Sequence, residues 1–205
     1  MTGSEYNQEQ INAIRMIRQY FESLSSDEIV NLKAQVNEYL QFRKVVSDFQ
    51  KKHLTRICTE QCFTSESSAC CNREGIATFF ADVIINILIS SEVALDKLEH
   101  AIREDEGGFK CVYLSETGCL WKLKPIVCEM FLCDHAKQLL ASSGESHITR
   151  WEDMRLQEKR FTWPDKPVLF NDLEKFFLQA GMESPLMYFH KGPGLLMVKK
   201  RSGVE

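Results

Sequence analysis

The residues best suited to chemistry are eight cysteines, which all lie between positions 58 and 133 of this 205-residue chain. They form two groups of four, which are Cys58, Cys62, Cys70 and Cys71, followed by Cys111, Cys119, Cys128 and Cys133. Thiolates are soft ligands, and four of them complete a tetrahedral zinc site or hold an iron–sulfur cluster. The pattern therefore predicts metal binding through all eight cysteines, in one or two centres.

Disulfide bonds, buried thiols and a redox switch are the alternatives to metal binding. An even number of cysteines allows disulfide bonds, although a chain of 205 residues can form a core without them. The cysteines could also be buried thiols that act as small hydrophobic side chains, or a metal-free redox switch. Their confinement to one segment favours metal binding over all three.

The adjacent pair Cys70-Cys71 bears on the kind of metal. Neighbouring side chains diverge in both helices and strands, so two adjacent thiolates do not easily bind one ion. They suit two sites, or two metals of one cluster. The doublet therefore favours an iron–sulfur cluster slightly over zinc.

A short hairpin and the helix after it are predicted to carry the second cysteine group. Residues 110–123 have the pattern of two strands around a tight turn, which would bring Cys111 and Cys119 together. Pro125 predicts the start of a helix that runs to about position 140, because proline suits the first helical turn. On that helix, the last two cysteines of the group would share roughly one face.

The first part of the chain is predicted to form a helical hairpin. Residues 4–74 contain neither glycine nor proline, which favours long helices. Within residues 7–53, apolar side chains recur at helical spacing on both sides of Ser25 and Glu28, which have the spacing of a capping box. This hairpin is interpreted as a scaffold that packs on the cysteine segment, or else as the surface for an unknown protein partner.

One apolar helix is predicted between the two cysteine groups, from Gly75 to about Glu104. Apolar residues cover most of its circumference near its start, so it should be the central buried helix. Asp82 and Asn86 are four residues apart and share a face of this helix. They are interpreted as a hydrogen-bonded polar pair in the core, or else as groups that face a ligand pocket together with His135.

Five further side chains lie close to the cysteines in sequence. Arg73 and Lys124 would offset the negative charge of the thiolates, and His135 is a candidate ligand or a hydrogen-bond donor to one. Glu129 lies between two cysteines and has no evident acid or base partner in the sequence. His53 precedes Cys58 closely and is more typical of a surface histidine than of a ligand.

The last third of the chain is predicted to contain helices at residues 148–161 and 172–180. Met187–His190 and Leu195–Lys199 flank a Gly-Pro-Gly turn and are interpreted as a terminal β-hairpin.

The sequence as a whole predicts a mainly α-helical α+β fold. Three segments are expected: an N-terminal helical hairpin at 1–57, a cysteine-rich metal-binding domain at 58–140, and C-terminal helices with a hairpin at 141–205.

The second cysteine group carries a family resemblance. Residues 111–131 combine a cysteine and apolar residues with Gly-Cys at 118–119 and Pro-x-x-Cys-x-x-Phe from Pro125 onward. This segment resembles the signature of the YkgJ-type family of zinc- or iron-chelating proteins, which also has an upstream doublet like Cys70-Cys71. The chain departs from the pattern in its longer upstream spacers, and it has Lys124 where the family has arginine.

The resemblance covers roughly residues 58–135, and it implies a metal centre of zinc or iron built from these cysteines. The family includes flagellin lysine N-methylases, so the resemblance also implies a role in protein modification as one alternative. Electron transfer by an iron–sulfur cluster and a structural zinc scaffold without catalysis are the others. Whether the protein is an enzyme stays open, because the sequence contains no methyl-donor or nucleotide-binding motif.

Charge and hydropathy exclude several classes of partner. Residues 58–133 carry 6 basic and 12 acidic side chains, a balance of −6, and the whole chain has a net charge of −4. Such a field does not attract nucleic acid. The longest apolar run, residues 83–89, is far shorter than the ~20 residues that span a bilayer. With no secretory leader evident, a cytoplasmic location is expected.

Overall fold

A computed structural model of the chain describes residues 3–56, 77–105, 111–115 and 118–203. Over these ranges the protein is mostly helical, with one small antiparallel hairpin, which confirms the predicted mainly α-helical α+β class. None of the helices in the described ranges is both long enough and apolar enough to span a bilayer.

The described helices follow one another along the chain, and the only strands among the described residues form the hairpin. The helices are α1 (Gly3–Ser23), α2 (Ser26–Arg56), α3 (Phe80–Ile89), α4 (Glu92–Arg103), α5 (Ile126–Met130), α6 (Asp134–Ser143), α7 (Glu145–Thr162), α8 (Leu169–Gln179), α9 (Tyr188–Lys191) and α10 (Pro193–Ser202). The strands are β1 (Leu114–Ser115) and β2 (Gly118–Cys119), with Leu114 opposite Cys119. The hairpin lies where it was predicted, but each strand is only two residues long.

The two N-terminal helices are separated by the predicted capping box. The backbone N–H of Ser25 donates to the Glu28 carboxylate over 2.8 Å, and the N–H of Glu28 donates to the Ser25 hydroxyl over 3.3 Å. The helices use their apolar stripes inside the chain, because α1 packs mainly on α3 and α4, whereas α2 contacts α7 and α3. These contacts agree with a scaffold role, and a partner surface on these helices stays a prediction.

Helix α3 is the buried centre of the molecule, since every residue from Phe80 to Leu88 is buried. The prediction of one helix from Gly75 to Glu104 is wrong at Ser90 and Ser91, where the chain is extended and a second helix begins. The hydroxyl of Ser91 accepts the N–H of Ala94 over 3.4 Å, so it caps α4. A serine in this position stabilises a new helix start better than it stabilises a helix interior.

The C-terminal part confirms the two predicted helices as α7 and α8, and Gly181 ends α8 with a φ of 76°. The predicted terminal hairpin is wrong, because residues 188–202 form α9 and α10 instead. Pro193 stands at the start of α10, where its missing N–H costs nothing. The Lys199 ammonium then reaches back to the Asn171 side-chain oxygen over 2.6 Å and ties α10 to α8.

A fully buried guanidinium connects α2 to the segment that carries the cysteines. Arg43 is 1% exposed and donates to the Tyr39 hydroxyl over 2.6 Å and to the Lys124 carbonyl over 2.5 Å. The Glu129 carboxylate lies 3.3 Å from the same guanidinium and is itself buried. Nearby, the side chain of Gln50 donates to the Glu129 carbonyl over 2.6 Å. Arg43 thus supplies the partner that the sequence did not reveal for Glu129.

Replacement of Arg43 by methionine should destabilise the protein by about 3–5 kcal/mol, because it leaves the Glu129 carboxylate buried without its counter-charge. The loss is measured as the free energy of unfolding in urea. Arg160→Ala is the control, since Arg160 pairs with Glu38 over 3.1 Å on the exposed surface. That variant should lose at most about 1 kcal/mol. Equal losses in the two variants would contradict the central role of Arg43.

Candidate metal centre

The hairpin presents its two cysteines from opposite ends of a tight turn. The Cys111 carbonyl accepts the N–H of Leu114 over 3.0 Å, and the Tyr113 carbonyl accepts the N–H of Leu120 over 2.8 Å. Gly118 has a φ of 110°, a conformation that glycine adopts without strain. The turn therefore brings Cys111 and Cys119 to the same end of the hairpin, as the sequence predicted.

The two hairpin thiols are held in their protonated form. Burial raises the pKa of Cys111 to about 12, and the neighbouring Cys119 and Cys128 raise it further. Burial likewise raises the pKa of Cys119 to about 11, with Cys128 and Glu129 adding to the effect. These three thiols thus lie close enough that ionisation of one disfavours ionisation of the next.

Several groups around these sulfurs favour the thiolate. The backbone N–H groups of Tyr113 and Leu114 oppose the rise in the pKa of Cys111, and those of Trp121 and the Lys124 ammonium do so for Cys119. Lys124 therefore has the charge-compensating position that the sequence suggested. Donors aimed at a sulfur suit a cysteine that loses its proton to a metal cation.

The prediction that Cys128 and Cys133 share one helix is wrong. Helix α5 ends at Met130, the backbone is extended at Phe131 and Cys133, and α6 then begins. The Cys133 sulfur accepts the N–H of Ala136 over 3.5 Å and so caps α6. Leu132 between them is buried, which requires the chain to leave the helical path at this point. The two cysteines thus belong to different elements.

Two polar side chains of α3 fix the segment between Cys119 and Cys128. The Asn86 amide donates to the Leu123 carbonyl and accepts the Leu123 N–H, each over 2.9 Å. The Asp82 carboxylate accepts the N–H of Ile126 over 3.1 Å. This arrangement confirms the interpretation of the pair as hydrogen-bonded core residues, and it gives them a task in placing the cysteines.

The other candidates separate into three cases. Cys58, Cys62, Cys70, Cys71 and Arg73 lie outside the described residues. His135 is exposed in the first turn of α6, so its role as a ligand stays a prediction. The ring of His53 lies 4.4 Å from that of His147 and 4.7 Å from that of Phe49, measured between ring centres.

Within the part of the chain that the structure describes, no three histidine, cysteine, aspartate or glutamate side chains come together closely enough to hold one ion. Four of the eight predicted ligands lie outside that part. The eight-cysteine centre therefore stays a prediction, and the described residues test only whether the donor chemistry suits a metal.

Orphaned polar atoms around the hairpin provide that test. The Tyr113 hydroxyl and the Trp121 indole N–H are buried, and neither has a hydrogen-bond partner among the described residues. Their rings meet edge to face, with centres 5.5 Å apart. Soft sulfur donors surrounded by unused N–H and O–H groups fit a thiolate-bound zinc ion or iron–sulfur cluster in chemistry. Sequence reasoning missed both groups, because a lone aromatic residue beside a cysteine carries no periodic signal.

Comparison with known proteins identifies no relative: no family model, no curated protein and no solved structure matches the chain. Its function is therefore argued from its residues and their geometry.

The buried carboxyl of Asp82 should make stability depend on pH. Burial raises the pKa of Asp82 to about 7, against the partly compensating effects of Arg43 and of the N–H groups of Phe79 and Ile126. Between about pH 4 and pH 7, the folded state keeps a proton that the unfolded chain has lost. The contribution of Asp82 to the free energy of unfolding therefore falls as the pH rises through this window, and it is constant above it.

Urea unfolding of the wild type and of Asp82→Asn, with chelator and reductant present, measures this effect. Because asparagine does not titrate, the wild type should lose stability relative to the variant between about pH 4 and pH 7. A stability difference that stays constant, or that shifts in favour of the wild type as the pH rises, would show that Asp82 is ionised throughout.

Proposed function

We propose that this protein binds a metal centre, an iron–sulfur cluster or zinc, through its eight cysteines. One ligand group is Cys111, Cys119, Cys128 and Cys133, and the other is Cys58, Cys62, Cys70 and Cys71. The observation that carries the proposal is the mutual interaction of three half-buried thiols, on the hairpin and α5, in surroundings that hold them protonated. A cation would replace those protons, and its binding would contribute to folding stability.

The doublet Cys70-Cys71 favours the iron–sulfur form of the proposal, since adjacent thiolates suit two metals better than one. The resemblance of residues 111–131 to the YkgJ-type family supports the same class of centre. In this form the centre takes part in electron transfer or in protein modification, with a lysine N-methylase-like activity as one version.

A structural zinc site is the second candidate, and a specific observation favours it. The segment that carries Cys128 is tied to α2 through Arg43 and to α3 through Asp82 and Asn86, all by buried hydrogen bonds. Such a rigid setting suits a closed site without an open position for substrate. The protein would then be a binding or scaffold module, with a protein partner on its N-terminal helices.

Metal and acid-labile sulfide content, measured with a visible spectrum on protein purified without oxygen, tests the proposal. Brown protein with about four iron and four sulfide per chain would establish an iron–sulfur cluster and lead to redox and methyl-transfer assays. Colourless protein with one or two zinc ions would establish the structural form. Metal-free protein with eight reactive thiols would refute metal binding and favour a redox sensor.

Cys128→Ser should release metal and abolish the increase in melting temperature that metal gives the wild type, because serine is a poor ligand for a soft metal. Val127→Ser is the matched control, since it introduces the same residue one position away at a side chain that is 40% exposed. The control should keep wild-type metal content. Full metal content in Cys128→Ser would remove Cys128 from the ligand set.

A further inference from the structure

Two buried polar groups of the hairpin segment have no hydrogen-bond partner among the described residues. They are the hydroxyl of Tyr113 and the indole N–H of Trp121. Tyr113 is 1% exposed and Trp121 is 3% exposed, so bulk water is not available to either. A buried donor without an acceptor is unfavourable, and in a native protein it calls for an explanation.

The position of Tyr113 suggests what its acceptor is. Its hydroxyl interacts electrostatically with the thiols of Cys111 and Cys128, which belong to two different elements. The residue is held in place by edge-to-face contact with Trp121 and by the hydrogen bond that its carbonyl accepts from Leu120. A fixed phenol thus faces the sulfurs of the proposed ligand group.

The nearby hydroxyl of Thr78 does not take the phenol proton. Burial raises the pKa of Tyr113, whereas Thr78 lowers it, which is the effect of a donor directed at the phenol oxygen. The geometry between these two hydroxyls does not amount to a hydrogen bond, because each is without a partner among the described residues. The proton of the Tyr113 hydroxyl therefore still needs an acceptor.

We infer that the Tyr113 hydroxyl is a positioning group of the metal centre and donates a hydrogen bond to its sulfur ligands. The inference rests on the proposed function. A protonated thiol is a weak acceptor, whereas a metal-bound thiolate or cluster sulfide accepts a hydrogen bond well. The phenol donor therefore gains its partner when metal binds.

Such a donor acts on the properties of the metal. Hydrogen bonds to the sulfurs raise the reduction potential of an iron–sulfur cluster, because they withdraw charge from the ligands. In a zinc site they orient the ligands, and groups of this kind typically contribute about 10–100-fold to metal affinity. The tyrosine is thus a determinant of potential or affinity, according to the metal.

Tyr113→Phe tests the inference, because it removes the hydroxyl and keeps the ring against Trp121. Tyr20→Phe is the matched control, since Tyr20 lies on α1 and its ring packs against Phe176 and Phe177. The full-length proteins are compared with their native metal and after replacement with Co²⁺. The readouts are metal affinity by chelator competition, the sulfur-to-cobalt charge-transfer band, and the reduction potential if iron is present.

Tyr113→Phe should bind metal about 10–100-fold more weakly, shift the charge-transfer band and lower the reduction potential, whereas Tyr20→Phe should match the wild type. Wild-type values of all three readouts in Tyr113→Phe would overturn the inference and leave the proposed function intact. A wild type that binds no metal would instead overturn the proposed function.

Unfolding of the metal-free proteins separates a donor to the metal centre from a merely structural tyrosine. If the hydroxyl acts on the metal centre, Tyr113→Phe should be as stable as the wild type without metal and less stable only with it. An equal loss of stability in both states, or a variant that does not fold even without metal, would mean that the hydroxyl has a protein acceptor. Either result would overturn the inference.

Discussion

The buried guanidinium of Arg43 is the constraint on which the arrangement of the cysteines depends. A positive charge removed from water requires several acceptors at fixed distances. Arg43 finds the Tyr39 hydroxyl on its own helix, and its remaining partners, the Lys124 carbonyl and the Glu129 carboxylate, both lie between Cys119 and Cys133. The charge on α2 therefore determines where the cysteine segment must lie, whereas a purely apolar contact would allow it to slide.

Helix α3 holds the same segment from a second element. A hairpin with two residues in each strand has few ladder hydrogen bonds, so strand pairing alone does not hold it. Asn86 satisfies both backbone groups of Leu123, and Asp82 satisfies the N–H of Ile126. Side chains of a buried helix thus replace the backbone partners that a larger sheet would provide, and the cysteine segment is fixed to α2 and α3 by polar groups in a mainly apolar core.

The parts of the fold that the sequence predicted well are those that local signals determine. The capping box at Ser25 and the apolar character of α3 depend on residues a few positions apart, and both are confirmed. The errors occur where one side chain ends a helix that periodicity would extend, as at Ser91 and Cys133. The terminal helices depend on the contact of Lys199 with a helix 28 residues earlier, which no local pattern reveals.

The same distinction applies to the candidate site. The sequence reveals which ligand atoms are available, because cysteine is recognisable by type and spacing. It does not reveal the surroundings of the sulfurs, since Arg43, Glu129 and Tyr113 reach them only through the tertiary fold. These surroundings decide the chemistry: burial makes each thiolate costly, and each additional thiolate raises that cost for its neighbours. A bound cation is the simplest agent that removes this cost for all of them at once, which is why the geometry favours a metal centre over a set of independent reactive thiols.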